Sequence, residues 1–362
     1  MVSNGGRICL DGRDGESHPY SFIPKNSSEK VKMYLINKNI VIQGWFSRAH
    51  IFCKRFCVLA FNHAKSRTLN LTLSNLAFHN TGVILRNVTC SNVVVSNCRF
   101  VNCTRANGIQ HRDSRVFMRS SLVITDTKFL YNIISIYSYF FSKTLFILKI
   151  SRCIFQGKTE GFKGTSQYRP SMTGAVYIGS GRFSYRVHVL GFITDSLFWE
   201  LGHDYNYFAL SFSSLDRRST GYLTVLNTTF LNNKNAIYLY GGFDVRLTHV
   251  TINSTCEYAM TTGGFPGARP RVFGVEVFLD QSILGNNRVG ITMAVTHGRK
   301  LVVKNTVFLG ENETQGTGEA IKFQVNNDVR LVPSPGFTAT MLLLKTSPFK
   351  DYVHLMLVYK IT

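Results

Sequence analysis

The chain has 362 residues, too many for a one-core miniprotein and enough for two ordinary domains or one elongated repetitive one. Hydrophobic residues make up 44% of it, which excludes a disordered chain, and 28 phenylalanines weight it toward β structure. Lys+Arg at 41 against Asp+Glu at 20 leave a net charge of +21, yet only 17% of the residues are charged, so a histone-like tail is excluded.

Met1 to Gly15 is polar and Gly-rich, without the apolar segment of a secretory signal. Residues 1–39 are expected to form an N-terminal cap region. From Ile40 a short pattern recurs: apolar-x-apolar-x-polar-x-x-Phe. Ile40-Val-Ile42-Gln-Gly44 is a degenerate first copy, followed by Leu71-Thr-Leu73-Ser-Asn75-Leu-Ala-Phe78 and Val93-Val-Val95-Ser-Asn97-Cys-Arg-Phe100. Leu122-Val-Ile124-Thr-Asp126-Thr-Lys-Phe129 and Leu148-Lys-Ile150-Ser-Arg152-Cys-Ile-Phe155 come next. The apolar stretch Ile133 to Ile150 is interrupted by Lys143 and three serines, so it is expected as two strands around a turn and not as a membrane span. An insertion, Gln156 to Thr173, precedes Gly191-Phe-Ile193-Thr-Asp195-Ser-Leu-Phe198 and Leu223-Thr-Val225-Leu-Asn227-Thr-Thr-Phe230. Val245 to Ile252, anchored on His249, and Val277 to Leu284, anchored on Gln281, are looser; Leu301 to Phe308, anchored on Asn305, restores the pattern. Residues 326–362 are weakly patterned and are expected as a C-terminal coil or incomplete cap.

The anchors from Gly44 to Asn305 are separated by 31, 22, 29, 26, 43, 32, 22, 32 and 24 residues. Apolar residues at period two specify strands, and steps this short leave no room for a βαβ crossover. Each unit also carries a second apolar run, as in Ala175-Val-Tyr-Ile178, Ala236-Ile-Tyr-Leu239 and Ala320-Ile-Lys-Phe323. The expected architecture is therefore all-β: a solenoid of about 9–11 coils over residues 40–325, with equivalent strands stacked in parallel about 4.8 Å apart.

The repeat resembles the right-handed parallel β-helix, or pectin-lyase-like, superfamily. Phe129-Leu-Tyr-Asn132 and Phe230-Leu-Asn-Asn233, together with the Gly/Ala-apolar runs, are similar to the Phe-x-x-Asn and Gly-Gly-Ala-Ile repeats of polymorphic outer-membrane proteins. The resemblance covers about residues 40 to 325. It implies a single-stranded right-handed coil and leaves activity open, because the superfamily holds lyases, hydrolases, epimerases and adhesins.

Stacking assigns roles by row. Asn75, Asn97, Asp126, Asp195, Asn227 and Asn305 are expected at one corner as a structural ladder that hydrogen-bonds along the axis, in preference to a row of ligand contacts. Arg152 and His249 break that row, and their coils are expected to be locally irregular. The turns ahead of the anchor strands are basic: Arg112 and Arg115, Arg182 and Arg186, Arg217 and Arg218, Arg269 and Arg271, Arg299 and Lys300, with Lys65, Arg67, Arg119 and Lys143. In register they would form a charged edge able to hold an acidic polysaccharide, arginine forks pairing with sulfate or carboxylate. The alternative is ordinary solvated turn charge. No nucleic-acid-binding motif accompanies these residues, so nucleic acid is not the expected partner.

Chemistry is less legible. Neither the acidic calcium cluster of pectate lyases nor the ordered carboxylate set of polygalacturonases can be found. The insertion and the following loop could bring Glu160, Glu200, His203 and Asp204 together as a catalytic group, beside Lys163 and Arg169. The alternative function is accordingly a lyase or hydrolase of uronate chains. Eight cysteines lack C-x-x-C knuckles, and Gly263-Gly-Phe-Pro-Gly267 lacks the Lys-Ser/Thr of a phosphate loop, so neither metal nor cofactor is expected. Seven sequons, at Asn26, Asn70, Asn87, Asn102, Asn227, Asn253 and Asn312, point to a glycosylated extracellular or cell-surface protein, expected to be part of a larger one.

Overall fold

The computed structural model describes residues 5–360 apart from 14–18, 23–31, 37–38, 63–67, 87–89, 104–107, 113–117, 133, 141–142, 158–173, 181–186, 203–207, 215–219, 263–274, 295–297, 310–318, 326–327, 334–336 and 348–349. The described secondary structure consists of 33 strands in one continuous sheet wound into a parallel β-helix. Each coil has three faces. The first carries the long anchor strands, among them Thr68–Ser74, Cys90–Ser96, Met118–Thr125, Thr144–Ser151, Val187–Thr194 and Thr220–Leu226, each paired in parallel with the next. The second carries three-residue strands such as Arg99–Val101, Lys128–Leu130, Ile154–Gln156 and Leu197–Trp199. The third carries the second apolar runs, such as Ile136–Phe140, Gly174–Ser180, Phe208–Ser214 and Asn235–Tyr240. The apolar stretch around residue 140 is thus Ile136–Phe140 on the third face and Thr144–Ser151 on the first. No described helix is long and apolar enough to cross a membrane.

The ends differ. Gly6–Asp11, Tyr20–Phe22 and Lys32–Ile36 pair in parallel with the coil above them, so residues 1–39 contribute a rung of their own. At the other end the direction changes. Asp328–Pro333 runs antiparallel to Glu319–Val325, and Phe337–Ser347 runs antiparallel to Gly298–Leu309 and to Lys350–Lys360. A reversed strand occupies the edge that another parallel coil would need.

The core is built in columns. Phe78, Phe100, Phe129, Phe155, Phe198 and Phe230 are fully buried one above another, with successive ring centroids 4.7, 5.0, 4.9, 4.6 and 4.7 Å apart. Offset stacking at the rung spacing lets one residue type fill the same position in every coil. Ile252, Leu284 and Phe308 continue the column. On the third face, buried Ala175, Ala209, Ala236 and Ala259 form a second column where the backbone approaches closely.

Corners fix the register. The first, between the first and second faces, places one residue per coil in the left-handed region: Asn75, Asn97, Asp126, Arg152, Asp195, Asn227, His249, Gln281 and Asn305, with φ from 46° to 56°. Asn and Asp tolerate that conformation best, which explains why they dominate the row. Arg152 and His249, expected to disturb their coils, do not. Both have φ of 52°, and the strands on either side keep their register. The corner requires only the left-handed backbone, whose cost of roughly 1–2 kcal/mol is outweighed by the strands it joins. The residue after each anchor from Asn75 to Asn305 is buried, and where it is Ser or Thr its hydroxyl caps the turn. Thr127, Ser196 and Ser282 hydroxyls donate to the carbonyls of Thr125, Thr194 and Asp280 (2.7–2.8 Å) and accept the amides of Cys98, Cys153 and Val250 in the coil below (3.1–3.3 Å).

A second left-handed row follows five residues later: Asn80, Asn102, Tyr131, Glu200, Asn232, Ser254 and Asn286. Beside it lie the buried asparagines of the Phe-x-x-Asn units. Asn132, Asn233 and Asn287 each accept the amide of the residue below, Cys103, Leu201 or Thr255 (2.8–3.0 Å). Each also donates its amide to the carbonyl of Phe100, Phe198 or Ile252 (2.9–3.0 Å). Gly157, five residues after Arg152, departs from the left-handed row, and a Cβ there would collide with the Glu200 carbonyl.

Replacing Asn233 by alanine strands a buried amide and a buried carbonyl and is expected to cost about 2–4 kcal/mol. Asn227→Ala, at the exposed corner, should cost about 1 kcal/mol. Urea denaturation of both variants checks the difference; equal losses would contradict the role given to the buried asparagine.

Candidate functional site

The first-corner side chains are largely occupied with one another. Asn97 Nδ2 donates to Asn75 Oδ1 (3.1 Å) and Asn227 Nδ2 to Asp195 Oδ1 (3.3 Å), while Asn305 Nδ2 donates to Oδ1 of Asp280, the strand residue just before the corner below (3.2 Å). Asn75 Nδ2 donates in turn to the carbonyls of Gly44 (3.2 Å) and Ser47 (2.7 Å). Arg152 reaches down one coil to Asp126 with both prongs of its guanidinium, Nε to Oδ1 at 2.7 Å and Nη2 to Oδ2 at 2.8 Å. That hydrogen bonding holds the Asp126 carboxyl below its ordinary value of 3.8.

Four sequon asparagines are described. Asn70 is exposed and accepts from Asn92 (3.1 Å); Asn102 and Asn227 sit in left-handed corner positions; Asn253 accepts from Asn286 (3.2 Å). The Thr255 hydroxyl of the Asn253 sequon is buried against Asn287 (2.7 Å). A corner that selects Asn, followed by strand positions that select Thr, produces such tripeptides on architectural grounds alone. Asn26, Asn87 and Asn312 lie outside the described residues.

Of the expected catalytic group, Glu160, His203 and Asp204 lie outside the described residues, as do Lys163 and Arg169. Glu200 is half-buried at the second corner with φ of 54°, its amide donating to the Leu231 carbonyl (3.1 Å). Of the basic edge, Arg115, Arg182, Arg186, Arg217, Arg218, Arg269 and Arg271 lie outside the described residues. Arg112 ends its strand in register with Arg86 and Tyr139, and Lys300 is in register with Glu276, one residue after Arg299. Arg119 and Lys143 are exposed on consecutive coils where the chain enters the first face.

The third face is closed over 175–180, 208–213 and 235–240. Strand alternation turns Tyr177, Ser211, Tyr238 and Tyr240 away from the coil interior, yet all are buried, and Phe208, Tyr238 and Tyr240 form an apolar cluster separate from the main core. Burial pushes the Tyr177 and Tyr238 hydroxyls up. The thiols are likewise withdrawn, with burial raising Cys98 and Cys103 to about 12 and Cys153 to about 11. None of the three is a nucleophile near neutrality. Cys53 is disulfide-bonded, whereas Cys9 and Cys256 are free and exposed.

Open surface with chemical character lies on the other two faces. On the first, a groove of about 290 Å³ is lined by Tyr222, Asp244, Arg246, Glu276 and Phe278. Asp244 and Glu276 stand side by side on adjacent rungs, and Arg246 and Lys304 lie over the Phe278 ring at 5.0 and 5.6 Å. On the second face, a groove of about 280 Å³ is lined by Arg48, Arg99, Lys128, Ile154, Leu197 and Trp199, among others. Both sites escaped the sequence reading, although a signal existed. Asp244 and Glu276 each precede their anchor by five residues, and Arg99 and Lys128 each follow theirs by two. Among the described residues no group of three or more His, Cys, Asp or Glu is placed to hold a metal ion.

No family model matches the chain, and neither does any curated protein. Among solved structures it is similar to PfbA, a surface adhesin of Streptococcus pneumoniae, with a TM-score of 0.41 and 13% identity over 98% of this chain and 92% of that one. It is also similar to ORF18 of Geobacillus virus E2, with a TM-score of 0.34 and 12% identity over 99% and 69%. Likenesses at this level carry no argument about what the chain binds.

The Asp126 shift gives a signed expectation. A carboxyl depressed in the folded state contributes stability that is present above 3.8 and lost as pH falls through its folded value. In Arg152→Met the NMR titration midpoint of Asp126 should rise toward 3.8, and an unmoved midpoint would show that the ion pair does not form in solution.

Proposed function

We propose that this chain is a non-enzymatic β-helix scaffold of the cell surface or extracellular space, presenting a basic flank to acidic polysaccharide and forming part of a larger protein. The observation that carries the reading is the use of the repeat. Conserving one conformation per corner, coil after coil, consumes the polar corner residues in hydrogen bonds between rungs, which is a framework's use of them. The charge supports the polyanion half. An excess of +21 sits on a stack in which Asp11, Asp126 and Glu257 are already paired with Arg13, Arg152 and Lys234. Exposed Arg119 and Lys143 follow one another on consecutive coils where the chain enters the first face. Stacked cations focus potential along a line, and a linear polyanion is the partner with matching geometry. Exposed Asn70, a sequon asparagine outside the corner rows, supports an extracellular setting.

Reversing Arg217, Arg218, Arg299 and Lys300 to Glu together should lower the salt concentration that elutes the protein from heparin. An unchanged elution position would exclude this edge.

The hydrolase reading retains one specific support, which is the pairing of Asp244 and Glu276. Adjacent rungs separate their backbones by about 4.8 Å, comparable to the spacing of roughly 5–5.5 Å between the carboxyls of retaining glycosidases. Reducing-end assays on polygalacturonate decide it. Activity abolished by Asp244→Asn and by Glu276→Gln would establish an enzyme, and no activity in the unmodified protein would leave the scaffold.

A further inference from the structure

The second-face groove combines three cations with one indole, and the fold explains how they meet. Arg48 leaves the first corner two rungs below Asn97 and spans the coil of Ala77, whose side chain is only a methyl. Its guanidinium then binds Asn97 Oδ1 at 2.7 Å, two residues before Arg99. Lys128 stands directly above Arg99 in register. Like charges facing each other across a sheet repel, and these two are held in place by their strands. Arg99 Nε is shielded from solvent and has no hydrogen-bond acceptor. Among the described residues lining the groove none is acidic. The nearest described carboxylate at the first corner, Asp126, is already bound by Arg152. An anion between Arg99 and Lys128 would relieve the repulsion and supply the missing acceptor.

Above the cations the groove becomes apolar, through Ile154 and Leu197, and ends at half-buried Trp199. Trp199 lies three rungs above Val101, the last residue of Arg99's own strand, so the charged and aromatic ends are about 14 Å apart. A small anion cannot span that length. The surrounding backbone is already hydrogen-bonded from coil to coil, so the face offers no edge for an added peptide strand. A nucleic-acid strand needs successive aromatic platforms, and this groove has one.

We propose that this groove binds an acidic polysaccharide lengthwise, with a sulfate or carboxylate held by Arg99 and Lys128 and a sugar ring packed on Trp199. The proposal rests on the glycan reading above and is independent of the turn edge.

The chain has two tryptophans, so in a Trp45→Phe background Trp199 is the sole indole and reports the groove directly. Titration with a size-defined heparin hexasaccharide should change its emission saturably. R99E/K128E should weaken binding at least tenfold with an unchanged melting temperature, and R217E/R218E should leave the emission change intact. If the charge reversal unfolds the protein, R99Q and K128Q singly replace it, each expected to weaken binding severalfold. Calorimetric binding without an emission change, or lost only in R217E/R218E, would overturn the groove and keep the polyanion reading. No calorimetric binding at all would overturn both. An equally charged single-stranded oligonucleotide that produces the same emission change would overturn the glycan as occupant.

Discussion

The structure depends on a single backbone requirement, one left-handed residue at a fixed point in each coil from Asn75 to Asn305. That residue turns the chain from the first face to the second without a loop, so the strands on both sides start at the same height in each rung. Asn, Asp, Arg, His and Gln all occupy the place with nearly the same φ. Their side chains differ in what they reach, but the strands do not shift. Register, the phenylalanine column and the buried hydroxyl bridges all follow from keeping this corner constant.

Because the corner is constant, any residue at a fixed offset from it becomes part of a column on the surface or in the core. Inward offsets hold Phe, Leu, Val and Ala. Outward offsets are free to vary, and chemistry accumulates there by local substitution: Asp244 beside Glu276 on one face, Lys128 above Arg99 on another. Part of the third face lacks this freedom, since outward Tyr177, Tyr238 and Tyr240 are buried, whereas Tyr137 and Tyr139 are partly open.

Asn132, Asn233 and Asn287 show how a motif acquires meaning from packing. In the sequence they are the last letter of a Phe-x-x-Asn or similar unit. In the structure each is buried and joins two backbone groups of the coil beneath, a task that an exposed corner asparagine does not perform. Arg152 makes the complementary point. Its identity breaks the pattern of the row, yet its backbone obeys it, and its long planar side chain turns the departure into an ion pair with Asp126.

The sequence by itself determined the architecture. Period-two apolar runs, a phenylalanine three residues after seven of the ten anchors and steps of 22 to 43 residues admit a stack of parallel coils and little else. It indicated the corner row too, through the polar residue recurring from Asn75 to Asn305, although Arg152 and His249 read as breaks in it. Only the tertiary structure decided which outward residues become neighbours. Lys128 and Arg99 are 29 residues apart, and Asp244 and Glu276 are 32 apart. These separations match no constant period, since the turns between coils vary in length. Adjacency passes through register, and register is set by hydrogen bonds between rungs that no single coil contains.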